Sequence, residues 1–327
     1  MTTTGEPKAK ASPPRAKQPR PPRRPGDLIF SGAAKSAGVL ILVILAAVAV
    51  FLVTEGWPAI SASTDELSDS GVVRDQSLLS YVGPLVFGTV LAAIIALVIA
   101  TPVAIGVALF ISHYAPRRLA QIFGYVVDLL AAIPSVVYGL WGALWLMPQM
   151  FPIFEWLADN LGFIPIFAGP AASPPRTILT AGIVLAVMIL PIITAVSREV
   201  FLQTPTLHQE AALALGATRW EMVRMAVLPF GRSGIISAAM LGLGRALGET
   251  MAVAMVLSPG FEYSFHILQA GLQQNIAANI ALKFPESSGL GVSVLIFTGL
   301  VLFAITLLVN MIARWIVSRR AEFSGAN

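Results

Sequence analysis

No cysteine occurs in the 327 residues, so disulfide frameworks, thiolate zinc sites and cysteine nucleophiles are excluded together. Charge is scarce as well: Asp, Glu, Lys and Arg make up 12% of the chain, where a soluble domain carries about 25%. Histidine is rarer still, and His113, His208 and His266 lie too far apart in sequence to suggest a metal cluster. They read as polar groups in loops or at membrane edges. A G-x-x-x-x-G-K-[ST] phosphate loop is also missing, so nothing in this chain cradles ATP in that manner. What is present is apolar: 56% of the residues are hydrophobic, more than a water-soluble fold of this length can hide.

Six stretches reach, or nearly reach, the about 20 apolar residues per helix that a bilayer core of about 30 Å requires. They run near Ser36 to Val53, Val82 to Ser112, Ile122 to Met147, Thr177 to Val196, Gly234 to Leu257 and Val292 to Ile316. The expectation is an all-α membrane protein with six transmembrane helices. The first stretch is longer than the apolar part of a secretory signal and no convincing cleavage site follows it, so it reads as a retained anchor. Pro102, Pro134 and Pro191 fall inside predicted helices, where each removes a backbone donor and favours a kink.

Residues 1–27 hold seven prolines and seven Lys/Arg against Glu6 and Asp27 alone, the composition of a disordered basic tail ahead of a membrane domain over 28–327. With the amino terminus inside, seventeen of the twenty-one Lys and Arg fall on the cytoplasmic side. Arg74, Arg176 and Lys283 alone fall outside, beside Asp65, Glu66, Asp69 and Asp75. That bias predicts two cytoplasmic termini and a multi-pass protein of the cytoplasmic membrane. Two outer segments are long. Residues 148–176, rich in proline, predict irregular backbone, and residues 262–283 space Phe265, Leu268, Leu272, Ile276 and Ile280 as an amphipathic interfacial helix would. Either would line an outer vestibule or pack against lipid headgroups.

The cytoplasmic stretch 204–229 reads as a helical hairpin. Thr204 with Pro205 predicts a helix start, Gly216 a left-handed close, Thr218 with Glu221 a capping box opening a second helix, and Pro229 its stop. Glu210-Ala211-Ala212, then Gly216, then Leu228-Pro229 resemble the E-A-A signature of permeases in ATP-binding-cassette importers, with Ala226 where that signature has isoleucine. The resemblance implies a type I importer permease fold in which this element is a coupling helix docked on an ATPase subunit. ATP and Mg would then belong to that partner, and this chain would be a transport subunit with no ATPase site, metal or cofactor of its own.

In the fifth stretch, Arg245 and Glu249 stand four residues apart, so a continuous helix would make them neighbours on one face. A lone arginine at the bilayer centre costs about 2.5 to 3.5 kcal/mol on insertion scales, so both must face the protein interior or a watery path. An anion site or gate is one reading; a permanent ion pair that only fixes packing is the other. The guanidinium fork suits phosphate, and sulfate or a carboxylate equally. Asp128, near the inner end of the third stretch, reads as interfacial, with a place on the pathway as the alternative.

The string Gly242-Leu-Gly-Arg245-Ala-Leu-Gly-Glu249-Thr-Met-Ala-Val253, together with Ile133-Pro-Ser-Val-Val-Tyr-Gly-Leu-Trp-Gly142, resembles the PstC-type permeases of phosphate importers from about residue 36 onward. The resemblance implies that Arg245 and Glu249 are the essential pair on the route of inorganic phosphate. It also implies a PstA-type second permease, an ATPase dimer and an extracytoplasmic phosphate-binding protein as partners, with membrane lipid around them and no nucleic acid. A permease for sulfate or molybdate and an ion-coupled secondary transporter are the alternatives. The first is opposed by the helix-five string, and the second by the E-A-A-like loop and the lack of a detectable inverted repeat.

Overall fold

The computed structural model of the chain describes residues 25–73 and 76–321. Most of the tail expected over 1–27, and both Arg74 and Asp75, lie outside the described residues, while helix α1 (Pro25–Ser61) already begins at Pro25. Among the described residues there is no β-strand, and a lone antiparallel bridge joins Thr177 to Ala270. Among the described residues, six helical runs are long and apolar enough to cross a membrane: Ile29–Ser61, Leu78–Tyr114, Ser135–Leu161, Ile178–Leu202, Arg219–Leu247 and Leu290–Ile316. The chain divides into residues 1–48 and 49–327. Within the first, the described residues form the apolar leading part of α1. The second holds the end of α1 and every later helix.

The core of this second unit is built on α7 (Ile178–Leu202) and α3 (Leu78–Leu109). On α3, Ala92, Ala96, Ala100, Ala104 and Ala108 recur every four residues and are all buried, which lays a stripe of methyl groups along one face. Small side chains let helix backbones approach closely, and in lipid that packing replaces the hydrophobic drive that holds soluble helices together. Leu185, Met188, Ile189 and Ile193 of α7 fill the same core.

Two of the expected spans are divided by breaks. The stretch Ile122 to Met147 is not one helix: α4 (Arg117–Ala131) ends in a turn over 132–134, and α5 (Ser135–Trp141) restarts after Pro134. The residue before a proline is pushed out of the helical region, and α4 carries Arg117, Arg118, Gln121 and Asp128, so it is an amphipathic segment and the span shifts to Ser135–Leu161. Helix therefore runs through Pro148 and Pro152 as α6 (Met147–Leu161), and irregular backbone in the 148–176 segment is confined to the residues after Leu161, apart from a short turn at Pro165–Phe167. The fifth stretch is likewise interrupted, between α10 (Leu228–Leu247) and α11 (Met251–Val256).

Three wide π-helical turns, Phe110–Tyr114, Gly142–Leu146 and Val223–Val227, each end one residue short of a proline: Pro116, Pro148 and Pro229. A proline ring clashes with the carbonyl four residues back and brings no donor for it. A π turn shifts bonding to the carbonyl five residues back, as in the Leu228 N–H to Val223 carbonyl bond, and so accommodates the ring. For this reason Pro229 does not stop the second hairpin helix; α9 (Arg219–Met222) continues through the π turn into α10.

The amphipathic helix expected over 262–283 is absent. Residues 257–275 are extended or turning, and helix is confined to α12 (Ile276–Lys283). The segment is tied down by its backbone: the Ala172 N–H donates to the Leu268 carbonyl and the Ile267 N–H to the Ile166 carbonyl. Gln273 to Asn279 are buried throughout, so this stretch is inserted into the protein rather than laid on a surface.

Candidate functional site

The break after α10 decides the geometry of Arg245 and Glu249. Gly248 closes α10, which puts Arg245 in its last turn and Glu249 in the connection, so the four-residue helical adjacency does not operate and the two form no ion pair. Each charge is met by the end of a different helix. Arg245 Nη1 donates to the Ala131 carbonyl at 3.3 Å and Nη2 to the Ile133 carbonyl at 3.5 Å. These carbonyls lie at the C-terminal end of α4, where a helix leaves acceptors unpaired and its dipole is negative. Glu249, only 6% exposed, accepts the Ala252 N–H on Oε1 at 3.1 Å in the first turn of α11, the positive end of that helix.

Residues outside the pair hold both breaks in place. Tyr138 Oη donates to the Leu130 carbonyl at 2.9 Å, which ties α5 back to the end of α4. Asn275 caps α12 through Oδ1, which accepts the Ala278 N–H at 3.0 Å, while its Nδ2 donates to the Glu249 carbonyl at 2.7 Å. Thr89 Oγ1 accepts the Ile276 N–H at 2.9 Å, fastening the same segment to α3. A Cβ on Gly139 would stand 2.7 Å from Ala252 Cα, so glycine is what lets α5 and α11 meet. The sequence marks Tyr138 and Gly139 only as part of a string and Asn275 only as a polar position of the expected interfacial helix, and it does not single out Thr89. A buried run of amides, Gln273 to Asn275, beside an apolar helix was the available signal.

Arg245 is half-buried and opens onto a groove of about 620 Å³ between α10 and α13 (Leu290–Ala321). Ser237, Asn310 and Arg314 line it with Arg245, an unusual concentration of polar groups on two helices otherwise suited to lipid.

A second constellation lies in the hairpin. Helix α8 (Thr206–Ala214) has Pro205 at its N-cap, not Thr204; the Thr204 hydroxyl is buried with no partner among the described residues, and the Thr204 carbonyl takes the Gln209 Nε2 donor at 3.0 Å. Proline's fixed φ starts the helix unaided. Gly216 closes α8 at φ +86°, with its N–H on the Leu213 carbonyl and the Ala217 N–H on the Ala212 carbonyl. The capping box is complete: the Glu221 N–H donates to Thr218 Oγ1 at 3.3 Å, and the Thr218 N–H donates to Glu221 Oε2 at 2.7 Å. Ala212 and Leu228 pack inward on Phe201, Met222, Val223 and Val227, whereas Glu210, Ala211 and Pro229 are exposed. Leu207, Leu215 and Trp220 are exposed too, Leu215 to 90%.

Residues 100–322 match the family described as binding-protein-dependent transport system inner membrane component. Phosphate transport system permease protein PstC 2 of Mycobacterium tuberculosis is 47% identical over 310 residues, 93% of this chain and 95% of that protein. The PstC permeases of Mycobacterium leprae and Mesorhizobium japonicum are 44% and 38% identical, over 90% and 92% of this chain and 94% and 92% of theirs. A chain from an inward-facing structure of the MetNI methionine ABC transporter is similar at a TM-score of 0.49 and 18% identity, covering 74% of this chain and 95% of that one.

Proposed function

This chain belongs to the family of binding-protein-dependent transport system inner membrane components, and on that premise we propose that it is a permease subunit carrying inorganic phosphate across the cell membrane in an ATP-driven importer. The names of its relatives support phosphate as cargo. The observation that carries the reading is Arg245: a guanidinium on a membrane-crossing helix, held by two long bonds and open to a groove.

Bonds of 3.3 and 3.5 Å to neutral carbonyls are weak beside the 2.7–2.9 Å charge-assisted bonds that a guanidinium makes to a phosphate oxygen. A phosphate in the groove therefore takes Arg245 from the end of α4. Release frees the connection over 132–134 to move, which links occupancy to the helices around it. Glu249, fixed on α11, is a charged alternative acceptor for the arginine while it exchanges between the α4 carbonyls and phosphate.

In this reading both termini and the 204–229 hairpin are cytoplasmic, as the distribution of Lys and Arg favours. Glu210, Ala211, Ala212, Gly216, Leu228 and Pro229 form the coupling element that meets one subunit of an ATPase dimer, where ATP and Mg reside. The exposed Leu207, Leu215 and Trp220 support that docking, because apolar side chains on a polar surface mark a contact to be covered. A PstA-type permease closes the groove from the other side, and an extracytoplasmic phosphate-binding protein delivers the cargo.

The test is uptake of labelled phosphate into proteoliposomes holding the full assembly. Uptake that needs ATP and resists a tenfold excess of sulfate or molybdate is the expected result. Competition by sulfate at equal concentration would reassign the cargo, and uptake driven by a proton gradient without ATP would overturn the importer reading.

A further inference from the structure

A second groove, of about 430 Å³, lies apart from Arg245, between α4, the π turn that ends the second span, and the last turns of α7. Arg117 and Arg198 both line it, with Ser112 and Gln121 adding neutral polar groups. Arg198 is unusual in the chain. It is half-buried, makes no hydrogen bond or ion pair among the described residues, and its Nε is buried with no partner there. A guanidinium nitrogen withdrawn from water without an acceptor carries an unrecovered desolvation cost, so the site is complete only when an acceptor fills it. Asp128 on the groove wall does not supply one, since it stands beyond ion-pairing distance of Arg198. Its carboxylate leaves the groove with a formal charge of +1 from two arginines and one acid.

We propose that this groove binds a phosphate-class oxyanion through Arg198 and Arg117, at a site separate from the transport arginine. The planar fork of Arg198 suits two phosphate oxygens, Arg117 adds a second charge, and the Ser112 hydroxyl and Gln121 amide serve as neutral donors. A groove charge of +1 suits a singly charged phosphate, which is the charge of a phospholipid phosphodiester and of the monoanion of free phosphate. Ile111, Ala120 and Leu202 give the groove apolar walls against which lipid chains would lie. Backbone space at Gly124 accommodates the Arg198 head: a Cβ there would collide with Nη1.

The experiment measures the melting temperature of the purified full-length chain in the Arg245→Gln background, which removes the transport arginine as a competing phosphate site. Three additions are compared: phosphatidylglycerol in mixed micelles, an uncharged glycolipid with the same acyl chains, and inorganic phosphate without lipid. A rise of about 3 °C or more is expected with phosphatidylglycerol, with inorganic phosphate, or with both, and none with the glycolipid. A rise with phosphatidylglycerol alone assigns a lipid headgroup; a rise with phosphate alone assigns the solute. Adding Arg198→Gln should abolish the rise, while Arg232→Gln, an exposed arginine outside the groove, should keep it. Gly124→Leu retains both arginines but fills the space of the Arg198 head, and it should also abolish the rise; it decides the matter if the Arg198 variant does not fold. A rise that survives Gly124→Leu, or that the glycolipid matches, overturns the proposal.

Discussion

The breaks at 132–134 and 248–250 and the hairpin over 204–229 are both interruptions of helix, yet they treat their exposed ends in opposite ways. At the breaks, helix ends are used inside the chain: carbonyls at and just beyond the end of α4 accept from Arg245 and Tyr138, and in α11 the Ala252 N–H donates to Glu249. The hairpin satisfies its backbone locally, through the Gly216 turn and the Thr218–Glu221 box, and leaves apolar side chains such as Leu215 uncovered. A charge held by long bonds to helix ends is poised to exchange partners. An uncovered apolar turn on a rigid backbone is poised to be gripped. In the proposed reading the first arrangement serves as a gate and the second as a handle.

The sharpest way to break this contrast is to remove the exchangeable charge. Arg245→Gln keeps a donor near the α4 carbonyls but loses the fork for phosphate, and two charge-assisted bonds at about 1.5 to 3 kcal/mol each imply at least a 100-fold fall in ATP-driven uptake. Assembly of the subunits, followed by co-purification, should be unchanged. Normal uptake by this variant would remove Arg245 from the phosphate route.

Next in size is the handle. Gly216 sits at φ +86°, a value proline cannot adopt, and its N–H is bonded to Leu213, so Gly216→Pro should disrupt the turn and lower transport per ATP hydrolysed roughly 30-fold. Gly216→Ala meets no neighbouring atom and bears only the left-handed strain of about 1 kcal/mol, so it should stay within about fivefold of the parent. Equal effects of the two would show that the turn's shape does not matter for coupling.

Glu249→Gln separates charge from geometry. An amide oxygen still accepts the Ala252 N–H, so α11 stays capped, while the favourable meeting of carboxylate and helix dipole, about 1 kcal/mol, is lost. About a tenfold drop in uptake is expected with little loss of thermal stability, because the arginine then lacks its charged alternative acceptor. Glu249→Ala should lose more stability than the amide variant, and a melting comparison of the two checks this.

How much of this was legible beforehand depends on whether the determining contacts are local. The Gly216 turn and the Thr218–Glu221 box are set within four residues, and they stand where the spacing predicts. That there are six apolar runs among the described residues was equally plain, because length and composition alone define them, although the third and fifth spans lie at Ser135–Leu161 and Arg219–Leu247. Pro134 marked a kink where the break at 132–134 falls, but the break at 248–250 was not legible. Hydropathy over 234–257 cannot reveal that Asn275, far along the chain, donates to the Glu249 carbonyl and fixes the backbone there. Pro229 misled for a related reason: a proline stops an α-helix, but the π turn at Val223–Val227 removes the clash, and nothing in the composition signals that turn. Helical spacing of apolar residues over 262–283 is met instead by extended backbone, because pairing with the segment around Ile166 and Ala172 supplies its hydrogen bonds.

The smallest effect returns to the hairpin and tests whether its rigidity is local. Thr218→Ala removes the acceptor of the Glu221 N–H and the hydroxyl that donates to Glu221 Oε2 at 2.8 Å, an N-cap loss worth about 1 kcal/mol. Since α9 runs through the π turn into α10, fraying at Thr218 has to stop where Met222, Val223 and Val227 are buried against Phe201. Hydrogen exchange should therefore quicken about fivefold at Arg219 to Glu221 and stay unchanged from Val223 onward, with uptake falling about twofold. Faster exchange that spreads into Gly242 to Leu247 would mean that the handle and the gate share one cooperative unit, and the contrast between a finished break and an unfinished hairpin would give way to a single lever.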